Sequence, residues 1–343
     1  MKLREIHIPS NLVIAIPKQL DFLIIVRGLA AVSVVYWHLG GYLDIENYLA
    51  SFFVIPGRLA VWIFFMMSGY LVSHGLCYGR YNKSLKGLSR FYVNRFLRIY
   101  PLFLVVSLIA LAIGYSDYSI DAAFIAKELL MLQWSHDYQL NGVFWTLGVE
   151  VHFYFLVPLL VFGSQMIIPR WLNWGICLYG LAIGSVWLFS KSDLFFGWDM
   201  RSIMGGITNF AVGIACAANK DRIISLGRKK YTVVILVVLV LIFIVYFNHH
   251  YAINSRMIIM SNFIGFGLIA LHIVLEDRRI VVNWAVRVLL VIGVLSYGIY
   301  AWHGFLAKYA VLIDNVIGHL ALAIAFGYVT YVTVEKPLIR FRQ

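Results

Sequence analysis

Of 343 residues, 62% are hydrophobic and 13% charged, against roughly 45–50% and about 25% in an average soluble domain; a water-soluble globule, a disordered chain, collagen and a coiled coil are all excluded. A net charge of +12 would point to nucleic acid in a soluble protein, but in a membrane protein it marks cytoplasmic loops facing anionic lipid. The three cysteines, Cys77, Cys177 and Cys216, lie in or beside apolar runs without metal-ligand or redox spacing and read as packing residues.

In chain order, the segment 1–20 alternates Lys2, Arg4 and Lys18 with short apolar stretches, and the first long apolar run carries Arg27. A charge there would spoil the apolar core of a signal peptide, so the segment is predicted to be a retained cytoplasmic lead-in. Runs long enough to span a bilayer, at roughly 20 residues per helix, occur at 22–41, 57–77, 99–115, 144–165, 172–190, 202–218, 231–247, 256–274, 283–303 and 313–334. Ten transmembrane helices are predicted, an all-α bundle forming one membrane domain over 1–343 with a cytoplasmic tail at 335–343. The run 231–247 has no strong polar group after Thr232 and reads as lipid-facing, whereas 202–218 carries Gly205, Gly206, Asn209 and Gly213, suited to close helix contacts. The stretch 121–133 is too short and too charged to cross and is predicted to be an interfacial helix.

Counting charges orients the bundle. With the N-terminus inside, 21 basic residues fall on cytoplasmic segments and six outside, namely Arg58, Lys127, Lys191, Arg201, Arg256 and Lys308, with Arg27 inside the first span. The outside loops hold most of the acids. This split follows the positive-inside rule, an even number of spans puts both termini in the cytoplasm, and nucleic acid drops out as a partner.

Charges within a bilayer are costly and usually face a cavity or a partner. In the first span Arg27 and His38 are eleven positions apart, about 16 Å of rise, and eleven steps of about 100° return to nearly the same face. They line one stripe at two depths, Arg27 toward the inner and His38 toward the outer leaflet. Arg27 also admits a reading as a snorkelling side chain, and His38 as a neutral histidine bonded to a neighbouring helix. Glu150, near the outer end of an inward-running span, matches His38 in depth. His38 is its expected partner, unless Glu150 stays protonated or pairs with His152. Arg95 and Arg98, at i and i+3, share a face at the inner mouth of the third span and suit forked bonds to phosphate, or else are flanking positive charge. The ninth span ends in Ser296, Tyr297, Tyr300, Trp302 and His303, an aromatic belt or a site wall.

Several segments together carry a resemblance. LDFLIIVRGLAAVSVVYWH at 20–38 presents Arg27, ten residues, then His38; FFMMSGYL at 64–71, RFLRIYPLF at 95–103, WTLGVEVHFY at 145–154, LSYGIYAWH at 295–303 and VEKPL at 334–338 follow. In this order they resemble the motifs of the acyltransferase-3 family of integral-membrane acyltransferases over nearly the whole chain. Two departures are visible: Val151 and His152 replace the family's second Glu and Gln, and Gly148 replaces a common Ser. The chain resembles the family's stand-alone form.

The resemblance implies transfer of an acyl group, usually acetyl, from acyl-coenzyme A to a hydroxyl of a cell-envelope polysaccharide or lipid-linked sugar, in the bacterial inner membrane. Acetyl-CoA or another acyl-CoA is the expected donor, held by Arg27, Arg95 and Arg98, and no metal is expected. His38 is the expected general base, with Glu150 orienting it or stabilising its imidazolium; a covalent acyl-histidine relay is an alternative. Ser68, Tyr297, Trp302 and His303 are expected on the substrate side. Intramembrane Arg, His and Glu would also suit a transporter or glycan flippase, or an acyltransferase acting on a small molecule or a protein amine.

Overall fold

The computed structural model describes residues 14, 17, 20–40, 55–114, 122–132, 140–169, 171–191, 198–229, 231–248, 255–277, 282–309 and 316–342. Among the described residues every regular element is a helix. In chain order these are α1 (Phe22–Gly40), α2 (Gly57–Cys77), α3 (Leu85–Gly114), α4 (Ala122–Leu129), α5 (Trp145–Ile167), α6 (Trp174–Phe189), α7 (Trp198–Ala218), α8 (Lys220–Gly227), α9 (Thr232–Asn248), α10 (Ser255–Asp277), α11 (Trp284–Tyr309) and α12 (Val316–Thr330). α12 continues through a π turn, Tyr331–Glu335, into α13, Lys336–Ile339.

Among the described residues, each apolar run of the sequence has its helix, as expected where lipid offers the backbone no hydrogen-bond partner. Six described helices are long and apolar enough to cross a membrane: Gly57–Cys77, Leu85–Ile113, Trp145–Ile167, Arg256–Glu276, Trp284–Tyr309 and Val316–Ile339. α7 with α8, bent by 74°, brings the number up to seven, and α1, α6 and α9 are apolar but shorter. α4 forms within the stretch expected at the interface. Its Glu128 is buried and accepts the backbone N–H of Leu140 at 3.2 Å, so this acid serves a loop-to-helix joint rather than an open outer loop. The lead-in over 1–20 lies almost wholly outside the described residues, as do most of the outer acids.

Helix α3 begins at Leu85, well ahead of the apolar run at 99. Phe91 and Asn94 in its early turns are buried, and the Asn94 amide donates to the Tyr81 hydroxyl at 3.0 Å. Arg95 and Arg98 therefore sit inside a continuous helix and are half-buried, rather than flanking its end.

The most extensive helix pairings are α2 with α7, α1 with α11, and α11 with α12. The first depends on Gly69 and Gly213: a Cβ on Gly69 would run into the Phe210 carbonyl, and one on Gly213 into the Met66 carbonyl. Likewise a Cβ on Gly28 would come within 2.8 Å of the Gly293 nitrogen. Lipid is as apolar as the side chains, so close backbone approach at small residues supplies the packing that water would otherwise drive. These contacts set α1, α2 and α11 around one cavity.

Candidate active site

α1, α2, α3, α5 and α11 line a cavity with about 820 Å³ of empty space, open solvent included. Its wall includes Arg27, Ser68, Arg95, Arg98, Thr146, Glu150, Tyr154, Tyr297 and Tyr300 among apolar residues such as Phe64 and Leu147. Six of the nine residues singled out in the sequence thus meet in one space.

Charge in this cavity is organised by local geometry. Glu150 and Tyr154 are one helical turn apart on α5, and the Glu150 carboxylate accepts hydrogen bonds from the Tyr154 hydroxyl and from Ser68 Oγ of α2. Arg95 lies over the Tyr154 ring at 5.6 Å, and Arg98 over the Tyr297 ring at 5.8 Å. Tyr297 is itself held by donating to the Ile99 carbonyl at 2.6 Å. Arg98 also pairs with Glu335 at 3.2 Å, a carboxylate whose side chain is 3% exposed. Arg27 stands in the combined field of Arg98, Glu150 and Glu335. Past the last span, Arg342 donates to the Leu97 carbonyl at 3.1 Å. Burial, followed by the charge of Arg98, lowers its guanidinium pKa to about 10. Guanidiniums outnumber carboxylates here, which fits a ligand with several anionic oxygens.

Tyr300 forms the boundary between this cavity and a second polar group. Its hydroxyl donates to the Val143 carbonyl at 2.8 Å and lies 2.7 Å from Thr146 Oγ1. Its carbonyl accepts from His303 Nδ1 at 2.6 Å. His303 is buried, and its Nε2 is 2.9 Å from Nδ1 of His38, which is exposed near the end of α1. A buried histidine thus stands behind an exposed one, one residue removed from the arginine-lined space.

Two expected placements differ from the contacts in the structure. The partner expected for Glu150 was His38, but the Glu150 carboxylate is taken by Ser68 and Tyr154, and the described hydrogen bond of His38 goes to His303. Nor does Trp302 face the cavity. It is buried, with its indole N–H donating to Thr330 Oγ1 at 3.3 Å and its ring 4.8 Å from that of Phe326, which makes it an α11–α12 packing residue. Of the two alternatives weighed for Glu150, staying protonated or pairing with His152, the second is not among the described contacts: His152 Nδ1 lies 2.6 Å from the Gly148 carbonyl on its own helix. Sequence reasoning missed Tyr154, Thr146 and Glu335. The i, i+4 spacing of Glu150 and Tyr154 was a readable signal, whereas nothing local announced that Glu335 would reach Arg98. Among the described residues, no three His, Cys, Asp or Glu side chains gather so as to hold a metal ion.

The acyltransferase-3 family profile, described as an acyltransferase domain, matches residues 20–334. Proteins of Staphylococcus aureus strains COL and MSSA476, each bearing the name "Putative O-acetyltransferase", are 24% identical to this chain over 368 residues. The match covers 91% of this chain and 56% of theirs, so the chain spans little more than half the length of these curated relatives. No solved structure matches it.

Proposed function

The chain belongs to the acyltransferase-3 family, and from that premise we propose that it is a multi-pass enzyme of the bacterial inner membrane. In this reading it moves an acyl group, acetyl in the first instance, from cytoplasmic acyl-CoA to a hydroxyl of a cell-envelope polysaccharide or lipid-linked sugar, such as a lipopolysaccharide O-antigen. Ten spans with both termini in the cytoplasm complete the reading, supported by the uneven distribution of basic residues.

The observation that carries it is the arrangement of one arginine-lined cavity directly beside a histidine pair. Arg27, Arg95 and Arg98 supply forked donors for the phosphates of coenzyme A. Tyr297 and Tyr300 line the way for the thioester arm toward the His38 end, which faces the acceptor. His38 takes the proton of the acceptor hydroxyl on Nε2 while that oxygen bonds to the thioester carbonyl carbon. The carbon–sulfur bond then breaks, and His38 returns the proton to the departing sulfur. Glu150, held by Ser68 and Tyr154, is assigned to keeping the arginines in place rather than to orienting His38.

The test is acetyl-CoA-dependent acylation of a glycan panel by purified protein, with glycan transport into vesicles measured in parallel. Wild type is expected to acylate. His38→Ala is expected to lose about 10²- to 10⁴-fold in turnover, the usual contribution of a general base, with donor binding intact. Transport without acylation, or a folded His38→Ala protein working at the wild-type rate, would reject the reading. Reporter fusions that place the loop at 116–143 in the cytoplasm would reject the topology.

A further inference from the structure

His38 and His303 stand 265 positions apart in sequence, and their contact fixes more than proximity. The ring planes are parallel to within 9°, and the ring centres are 5.1 Å apart. That separation is nearly the full sum of the 2.9 Å nitrogen–nitrogen distance and the two ring radii. The two nitrogens therefore lie almost on the line joining the ring centres. The rings meet edge to edge in a common plane, the geometry of an in-plane N–H···N hydrogen bond rather than of face-to-face stacking.

The direction of that bond follows from the next link in the chain. His303 Nδ1 is 2.6 Å from the carbonyl oxygen of Tyr300, three residues earlier on α11. A carbonyl can only accept, so Nδ1 of His303 carries a hydrogen. In a neutral imidazole the other nitrogen is then an acceptor. Nε2 of His303 can only receive, so Nδ1 of His38 must donate, and in the neutral His38 ring the lone pair then resides on Nε2. The backbone of α11 thus dictates the tautomer of a side chain on α1, with His303 as the intermediary.

We infer that His303 is a positioning residue which holds His38 in the Nδ1–H tautomer and in a fixed ring rotation, so that Nε2 is the basic nitrogen of the site. This rests on the acyl-transfer reading for its catalytic consequence, though not for its tautomeric content. When Nε2 of His38 receives the acceptor's proton, the imidazolium keeps its Nδ1–H bond to Nε2 of His303, and that bond becomes charge-assisted. His303 retains its own proton on Nδ1 throughout, so no proton passes beyond His38. His303 does here, with a neutral ring, what a carboxylate does in a Ser-His-Asp triad: it selects the tautomer and steadies the cation. This moves His303 away from the substrate contact anticipated for it in the sequence. Tyr300 contributes through its backbone carbonyl, so its side chain remains available to line the cavity.

The experiment pairs spectroscopy with kinetics on the full-length protein in detergent. With histidines labelled in carbon and nitrogen, NMR of the wild type should show His38, assigned by loss of its signals in His38→Ala, with its proton on Nδ1. In His303→Leu, which removes the acceptor, His38 should become a tautomeric mixture. Acetyl-CoA-dependent turnover should fall by about 10- to 100-fold, the range for losing a charge-assisted bond made in the transition state, with the KM for donor unchanged. His303→Gln can place its amide oxygen near the position of Nε2 and should recover much of the turnover. A wild-type His38 carrying its proton on Nε2 overturns the inference without recourse to any variant. A His303→Leu protein with wild-type turnover, or one in which donor KM rises while kcat holds, overturns it while leaving the acyl-transfer reading standing. A wild type that acylates nothing, yet shows the Nδ1–H tautomer, overturns the reading while the assignment of His303 as the tautomer-setting group stands.

Discussion

Replacing Arg98 with Gln is expected to damage the protein twice, and the two effects are separable. Arg98 lines the cavity and pairs at 3.2 Å with Glu335; the side chains are 24% and 3% exposed. Removing the cation strands a buried carboxylate, which typically costs about 3–5 kcal/mol. Arg98 is a quarter exposed, and Glu335 also faces Arg27 and Arg342, so the lower end, about 3 kcal/mol, is expected. In the donor-binding role proposed for Arg98, the same substitution removes one charge-assisted bond to phosphate, about 1.5–3 kcal/mol, which is about 10- to 100-fold in Kd. The double variant Arg98→Gln/Glu335→Gln removes the stranded charge. It should regain stability to within about 1 kcal/mol of wild type while its donor affinity stays low. Thermal unfolding of the detergent-solubilised variants and calorimetric titration with acetyl-CoA read the two quantities separately. An Arg98→Gln protein as stable as wild type would refute the buried-pair argument. A double variant that recovers donor affinity along with stability would refute the phosphate role.

Trp302→Phe should keep donor binding and turnover near wild type and lose about 0.5–1.5 kcal/mol of stability, the net worth of one neutral hydrogen bond, because the indole N–H serves Thr330; a rise in KM for the acceptor would return Trp302 to the substrate. Gly213→Leu should prevent stable folding, since even a Cβ there collides with the backbone of α2 at Met66 and Tyr70, whereas Gly180→Leu, with open space around its Cβ position on α6, should fold; comparable yields of monodisperse protein from both would contradict the close-packing account of α2 and α7.

The positions of the helices were legible in the chain because a bilayer leaves the backbone few choices: apolar runs become helices, and interruptions become loops. The cluster of cavity residues was also partly legible. Helical periodicity and depth place Arg27 and His38 on one face of α1 at two depths, and Arg95 beside Arg98 on α3, whatever the rest of the protein does. Which helix a face meets is another matter, because depth and face assign a side chain a height and a heading but no partner. His38 and Glu150 share a depth, yet Glu150 bonds to Ser68 of α2 and Tyr154 of its own helix, and His38 to a residue 265 positions away. Arg98 and Glu335, 237 positions apart, meet where α12 passes through its π turn. Trp302 and His303 are adjacent in sequence, but a step of about 100° sends one toward α12 and the other toward α1. These pairings were decided by the glycine contacts that bring α1 against α11 and α2 against α7, because a side chain's partner depends on how closely and at what rotation two helices approach, which is a property of both helices together.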